Sequence, residues 1–328
     1  MAHELILIKG NQKKNITQLV GDLAWSSDID ALGVELSFNY AFNDSRYFQN
    51  YDIVDIGDHV ALFNQGKLIS KFIVVDESQN GRFGKSYTCF DYSWYLNKNQ
   101  TVIQFKKISA SQAIQKLLDK QGVKHNITQI NTLITHIYKG ETVSDIINDI
   151  LEQAQQETGT KYRLEMDKDV LTIKKMSDLV INPKVRLSSN TPEFSIISAM
   201  GVPDRSRSIQ EMKNNILVVN SNEESIKVIA SAKSAENIQK FGQLTEVVEV
   251  DEKNEAQARN IAKTKLNELN RIEETISLPL LGHDDIRAGR ILNIDEPVTG
   301  IKGRYLIKSA AHTESKGIHL VTVELAVS

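Results

Sequence analysis

A block of three short strands occurs twice in this chain, and that recurrence constrains the fold more than any other feature. Gly57-Asp58-His59-Val60-Ala61-Leu62 aligns with Gly289-Arg290-Ile291-Leu292-Asn293-Ile294 at an offset of 232 residues, the difference between 289 and 57. Val60 and Leu62 then match Leu292 and Ile294, and in each pair a spacing of two puts both side chains on one face of a strand. Lys71-Phe72-Ile73-Val74 aligns with Arg304-Tyr305-Leu306-Ile307 at an offset of 233. Gly84 followed by Tyr87-Thr88-Cys89-Phe90 aligns with Gly317 followed by Leu320-Val321-Thr322-Val323, again at 233. Two explanations stay open: any two three-stranded meanders look alike, or a barrel-forming segment has been duplicated. In the second case three chains would present six similar barrels about one axis, which lets a threefold object match a sixfold one.

The remaining pattern predicts an α+β, mainly β chain: two tube-type small β-barrel domains, an inserted small α/β domain, and a helix near the second barrel. Residues 1–105 alternate in short apolar runs such as Leu5-Ile6-Leu7-Ile8 and Val34-Glu35-Leu36-Ser37-Phe38, separated by turn clusters, and are expected to form the first barrel. Over 106–176 the period changes. Ala110, Ala113, Ile114, Leu117 and Leu118 recur at helical spacing behind a Ser109/Gln112 capping box. After Thr142, placed as a cap, follows a second apolar stripe, Val143, Ile146, Ile147, Ile150, Leu151 and Ala154. Each large side chain there gains roughly 1.5–3 kcal/mol on burial, so the stripe must pack on something, and the strands around Leu164 and Leu171 are nearest. Three of the five prolines fall in 177–215, which reads as an extended connection. Residues 216–328 are expected to form the second barrel, with a helix over about 254–271.

Composition narrows the function classes. Hydrophobic residues at 41% and charged residues at 25% are ordinary for a globular protein, and a net charge of −3 argues against a dedicated nucleic-acid binder. The single cysteine excludes an intramolecular disulfide framework. No apolar run approaches the roughly 20 residues that span a bilayer, and Met1 to Gly10 reads as a strand instead of a signal peptide, so no membrane insertion by this chain is expected.

Candidate chemistry is sparse. Cys89 sits in an alternating strand, where a small buried role outweighs a nucleophilic one. His312 and His319, with Glu314 between them, flank a turn and could face each other, but two histidines lack the third and fourth ligands of a metal site. The pairs Asp28/Asp30 and Asp284/Asp285 stand in turn-like sequence, where Asp bonds its own backbone, so paired-carboxylate hydrolysis is not favoured. Gly81-Arg82-Phe83-Gly84-Lys85 leads into a strand, not the helix a phosphate loop needs. No catalytic residue, metal or cofactor is therefore expected. The aromatic-rich stretch Tyr40, Phe42, Arg46, Tyr47, Phe48 and Tyr51 either anchors a subunit interface or closes the first barrel.

Soft motifs in a fixed order carry a family resemblance across most of the chain. They are Ile16-Thr17-Gln18-Leu19-Val20-Gly21-Asp22-Leu23-Ala24-Trp25-Ser26, the segment Ser206 to Asn214, Phe241-Gly242-Gln243-Leu244-Thr245-Glu246-Val247, Ile286-Arg287-Ala288-Gly289, and Gly303-Arg304-Tyr305-Leu306-Ile307 with Ala311-His312-Thr313. Together they resemble the XkdQ/YqbQ-like hub proteins of PBSX-type prophages and contractile bacteriocins, within the wider late control D and baseplate hub group. The resemblance implies a non-enzymatic homotrimer assembled in the host bacterial cytoplasm and built into the baseplate of a virion or tail particle. Its partners would be a tail tube or tube-adaptor protein, a central spike, other baseplate proteins and a tape measure protein, with DNA only in transient passage. The hub-like part of a non-contractile tail-tip protein, and a cell-wall hydrolase or its binding module, are the alternatives.

Overall fold

The computed structural model describes residues 3–41, 53–79, 81, 84–186, 190–220, 227–250 and 257–327. Among the described residues seven strands open the chain: β1 (His3–Lys9), β2 (Gln12–Asn15), β3 (Val20–Asp28), β4 (Val34–Ala41), β5 (His59–Asn64), β6 (Lys67–Gln79) and β7 (Gly84–Asp91). Their order across the sheet is β2-β1-β5-β6-β7-β4-β3, with every pairing antiparallel. Strict alternation puts Leu5 and Leu7 of β1, Leu36 and Phe38 of β4, and Tyr87 and Cys89 of β7 into one apolar core.

After a short helix α1 (Ser93–Lys98) come β8 (Gln100–Ser109), α2 (Ala110–Lys120), β9 (His125–Ile127), β10 (Leu133–Thr142), α3 (Val143–Thr158), β11 (Tyr162–Asp167) and β12 (Val170–Lys175). Both helices start where the capping residues predict. Ser109 Oγ accepts from the Gln112 backbone N–H at 3.4 Å, and Thr142 Oγ1 accepts from that of Asp145 at 3.2 Å. The predicted apolar stripes are buried in both. β8 and β10 form an antiparallel pair, while β12 lies between antiparallel β11 and parallel β9.

The stretch 177–215 holds more structure than the extended connection expected there. It carries β13 (Val180–Ile181), β14 (Lys184–Val185), β15 (Phe194–Ser195) and β16 (Asp204–Ser208), and a 3-10 turn that buries Ile196 in a second core. Nor do 216–271 belong to a second barrel. The chain divides into two bodies: one comprises Met1–Ile150, Lys161–Asp204 and Ile276–Ser328, the other Leu151–Thr160 and Arg205–Thr275. The smaller body contains β17 (Asn215–Asn220), β18 (Val228–Lys233), α4 (Ala235–Phe241), β19 (Thr245–Val250) and α5 (Ala258–Leu269). Its sheet runs β18-β17-β19, and Ile216, Val218, Ala258 and Ala262 belong to its own core. The helix expected near the second barrel is α5, and it packs inside this insertion.

The chain ends with β20 (Glu273–Leu281), β21 (Ile291–Glu296), β22 (Ile301–Ser315) and β23 (Ile318–Val327), all antiparallel along β20-β23-β22-β21. This second β module buries Leu292, Ile294, Tyr305 and Ile307 with Ile276 and Leu278. The overall class is α+β and mainly β, as expected. Closed barrels are not seen: among the described residues the ladder is one open sheet running from the first module into the second.

The two modules repeat each other in hydrogen-bond detail. Gly57 N–H donates to the Val74 carbonyl and Gly289 N–H to that of Ile307, both at 2.8 Å. Val74 N–H returns a bond to Asp58 and Ile307 N–H to Arg290, again both at 2.8 Å. Val60 pairs with Phe72 as Leu292 pairs with Tyr305, and a bulge follows Val74 as one follows Ile307. The third block is corrected. Cys89 lies opposite Val74 and Leu325 opposite Ile307, so the offset is 236, the difference between 325 and 89, and not 233. Gly84 starts β7, whereas Gly317 lies in the β22–β23 turn, so those two glycines are not equivalent. The reason is periodicity. An odd slip of three exchanges the faces of a strand, and it set buried Tyr87 and Cys89 against exposed Leu320 and Thr322.

Gly57 and Gly289 both have positive φ, at 87° and 83°. A Cβ at Gly57 would meet nothing within 4 Å, but at Gly289 it would lie 2.8 Å from Cδ of the buried Arg163. Gly57→Ala should therefore cost about 1–2 kcal/mol of backbone strain. Gly289→Ala should lose a further ~1–3 kcal/mol to overpacking. Urea midpoints of the two variants measure the difference, and equal midpoints would remove the role given to Arg163.

Candidate functional site at the seam between the β modules

One ladder joins the two modules. β22 pairs antiparallel with β3, from Ser309 opposite Asp28 to Glu314 opposite Leu23. Within it His312 lies opposite Trp25, and their rings stack at 4.8 Å and 6°. Polar clusters sit at both ends of this seam.

The first cluster gathers His3, Asp284, His312, Glu314 and His319. The His3 imidazole touches two carboxylates, Asp284 Oδ1 at 2.9 Å through Nε2 and Glu314 Oε2 through Nδ1. The His3 backbone N–H also donates to Glu314 Oε2, at 3.2 Å. Asn64 Nδ2 donates to the other Asp284 oxygen at 2.7 Å. Burial works against a charged His3, yet the hydrogen bonds and charges of Asp284 and Glu314 prevail and raise its pKa to about 9. For Asp284 burial raises the pKa, but the bonds from His3 and Asn64 outweigh it and hold the carboxyl below its ordinary value. His312 goes the other way: burial, then the neighbouring His319, lowers it to about 3. Burial and the charge of His3 lower His319 to about 4. A buried imidazolium thus bridges two carboxylates beside two neutral imidazoles.

Hydrogen-bond logic assigns the tautomers of that neutral pair. The Ile286 carbonyl can only accept, so His312 Nε2 carries the proton and donates to it at 2.8 Å. His312 Nδ1 is then the acceptor for His319 Nε2–H at 2.9 Å, which leaves the lone pair of His319 on Nδ1. Gly282 makes room for this ring, since a Cβ there would lie 2.1 Å from the His319 Cγ.

The second cluster is cationic. Arg163 on β11 donates to the carbonyls of Ile29 at 2.7 Å and Asp28 at 2.9 Å, capping the end of β3. Arg287 donates to the Met166 carbonyl and Arg290 to Glu165 Oε1, both at 2.8 Å. Ala288 N–H completes the join by donating to Ser27 Oγ at 2.9 Å. The strand β11 is therefore fastened to the seam by charge-assisted bonds from three arginines.

The residues singled out from sequence fall in different places. Val60, Leu62, Leu292 and Ile294 are core residues behind the paired glycine turns. Tyr40 is buried in the first core, edge-on to Tyr87, while Phe42, Arg46, Tyr47, Phe48 and Tyr51 lie outside the described residues. Cys89 is fully buried, and burial pushes its thiol pKa up. Asp28 accepts from the Asp30 backbone N–H at 2.8 Å, the turn bond its sequence suggested. His312 and His319 do meet. The partners their sequence neighbourhood lacks are His3, which no local signal marks, and Asp284, which the sequence offered as half of an Asp pair bonded to its own turn and which instead bonds the His3 imidazole and Asn64.

Glu165 supplies a pH-dependent element. Its burial raises the carboxyl pKa, but Arg287, the Arg290 hydrogen bond and charge, and Arg163 together hold it below the ordinary value. A depressed folded pKa gives stability that is fully present above the unfolded value of about 4.3 and is lost as pH falls through the folded one. Urea midpoints followed from neutral pH into this acid range should fall for the wild type. Glu165→Gln should begin about 3–5 kcal/mol lower, with its buried arginine partner uncompensated, and fall less steeply. Parallel curves would count against the assignment.

Known proteins share this architecture. The 43 kDa tail protein of prophage MuSo2 from Shewanella oneidensis superposes with a TM-score of 0.69 at 14% identity, over 99% of this chain and 98% of that one. The tail protein from Neisseria meningitidis MC58 gives 0.70 at 13% identity, over 99% and 97%. The Escherichia coli c3393 protein gives 0.54 at 10% identity over 98% of this chain and 76% of that one; it is a type VI secretion component described as structurally similar to bacteriophage T4 tail proteins gp27 and gp5. At such identities the likeness establishes the fold. No curated protein matches the sequence. The YqbQ-like family model matches residues 23–326, nearly the whole chain from within β3 to within β23, and the protein belongs to the YqbQ-like family.

Proposed function

We propose that the chain is a structural hub subunit of a contractile tail baseplate, acting as a homotrimer that adapts a sixfold tail tube to a threefold spike. Membership in the YqbQ-like family and the tail-protein fold support a structural tail role in general. The observation that carries the finer reading is the unequal use of equivalent edges. In the second module, Ser309 to His312 of β22 hydrogen-bond to β3. Shifting by the β6/β22 offset of 233, the first module's equivalent is Asp76 to Gln79 of β6, which among the described residues pairs only with β7. An edge built to the same plan but left open invites a strand of a neighbouring copy. Repeated around a ring, three chains would then alternate internal and intermolecular seams, six equivalent modules in all.

The tube or tube adaptor would sit against this ring, with the spike, other baseplate proteins and a tape measure protein as further partners and DNA passing transiently. A non-enzymatic role accords with a sealed Cys89 and with Asp28 and Asp284 held in hydrogen bonds. Detection of a sheath in particles that contain the chain would separate a contractile tail from the tip of a non-contractile one.

A permanent ring of this kind should bury more than about 2,000 Å² between partners, so native mass measurement should return a trimer at micromolar concentration. Successive N–H groups of a strand point to opposite sides. One of Ser78→Pro and Gln79→Pro should therefore keep the far-ultraviolet spectrum yet abolish the trimer. A wild-type chain that stays monomeric and never enters tail particles would overturn the reading.

A further inference from the structure

We propose that His3, Asp284 and His319 form a binding site for one divalent transition-metal ion of the zinc type. Each offers one ligand atom, and these atoms all lie within 4.8 Å of one another. The residues reach the site from three separate parts of the main body: the start of β1, the segment after β20, and β23. Two imidazoles and one carboxylate are a donor set suited to zinc, cobalt or nickel, and three protein ligands leave one position open in a tetrahedral site.

The surroundings orient the donors as a metal requires. Glu314 takes the Nδ1 side of His3, so the ion would replace the proton that Nε2 shares with Asp284, and that proton would leave to solvent as the metal binds. A carboxylate on the far nitrogen of a ligating histidine is the usual second layer of such sites. The relay from His319 through His312 to the Ile286 carbonyl does the same for His319, by placing its lone pair on Nδ1. Asn64 holds the second oxygen of Asp284, which favours one-oxygen coordination through the first. The near-parallel Trp25 ring, 4.8 Å from His312, closes one side with an apolar surface.

The consequence is a cross-link. A metal there would tie β1 of the first module to β23 and to the segment after β20 in the second, independently of the β3–β22 ladder. It would stabilise the folded chain by mass action, because the three ligands are far apart in sequence and come together only on folding.

The test uses the full-length, untagged chain, stripped with chelator and titrated with zinc sulfate in a calorimeter and with cobalt(II) in a visible spectrophotometer. We expect one ion per chain, a cobalt spectrum of the intense tetrahedral type, and a thermal midpoint that rises with zinc. His319→Ala and Asp284→Asn should each weaken binding at least tenfold, while Glu314→Gln, which alters only the outer layer, should weaken it about 10–100-fold. His136→Ala, a change at an exposed histidine on β10, should leave binding intact. Binding that survives His319→Ala and Asp284→Asn, or disappears with His136→Ala, would overturn the site. So would the absence of a cobalt band in the folded wild type, a result that does not depend on how any variant folds.

Discussion

The β3–β22 ladder is the constraint on which the rest of the main body depends. Each module has its own apolar core, and neither core extends through the other. What makes them one sheet is six residues of β22 running beside six of β3. Both polar clusters serve that junction. The arginines of β11 and of the Gly289 turn seal the Asp28 end, and the His3 network occupies the Glu314 end. Buried ions seldom add net stability, but they strongly disfavour any arrangement that leaves one unpaired. A β3–β22 register shifted by one residue would turn Trp25 and His312 to the opposite faces and strand Glu314, so the clusters specify this register more than they strengthen it.

Much of this fold was legible in the sequence, for reasons that differ by element. The stripes of α2 and α3 were plain because helical spacing separates apolar from polar faces over many residues, and Ser109 and Thr142 mark where each begins. The glycine turns at Gly57 and Gly289 were equally clear, since positive φ narrows the residues that fit. Alternation in strands is a weaker signal. It repeats every two residues, so a block can be slid without visible penalty. The match of Tyr87 to Leu320 looked as sound as the true equivalence of Cys89 to Leu325. Only the ladder, where Val74 and Ile307 choose their partners, distinguishes them.

The insertion and the seam cluster were hidden for a different reason. Residues 205–275 contain strands and the helices α4 and α5, all of ordinary composition, and nothing local says that β17 pairs with β19 instead of joining the terminal sheet. His3 and Asp284 are 281 positions apart, and each stands in a neighbourhood that reads as plain strand or turn. Long-range convergence leaves no trace in spacing. His312 and His319 were noticed because a hairpin keeps them close in sequence, and the ligand set looked incomplete because its other members arrive from distant strands.

The paired glycine turns also bear on how such a repeat ages. Two copies of one turn begin with the same tolerance, but their surroundings have since diverged. Open space around Gly57 leaves only the backbone as judge, and Asn or Asp can satisfy a left-handed residue. At Gly289 the buried arginine stem removes that freedom. Asn or Asp is therefore expected to be accepted at the first turn and refused at the second, so substitution would wear away the likeness of the two turns from one side only.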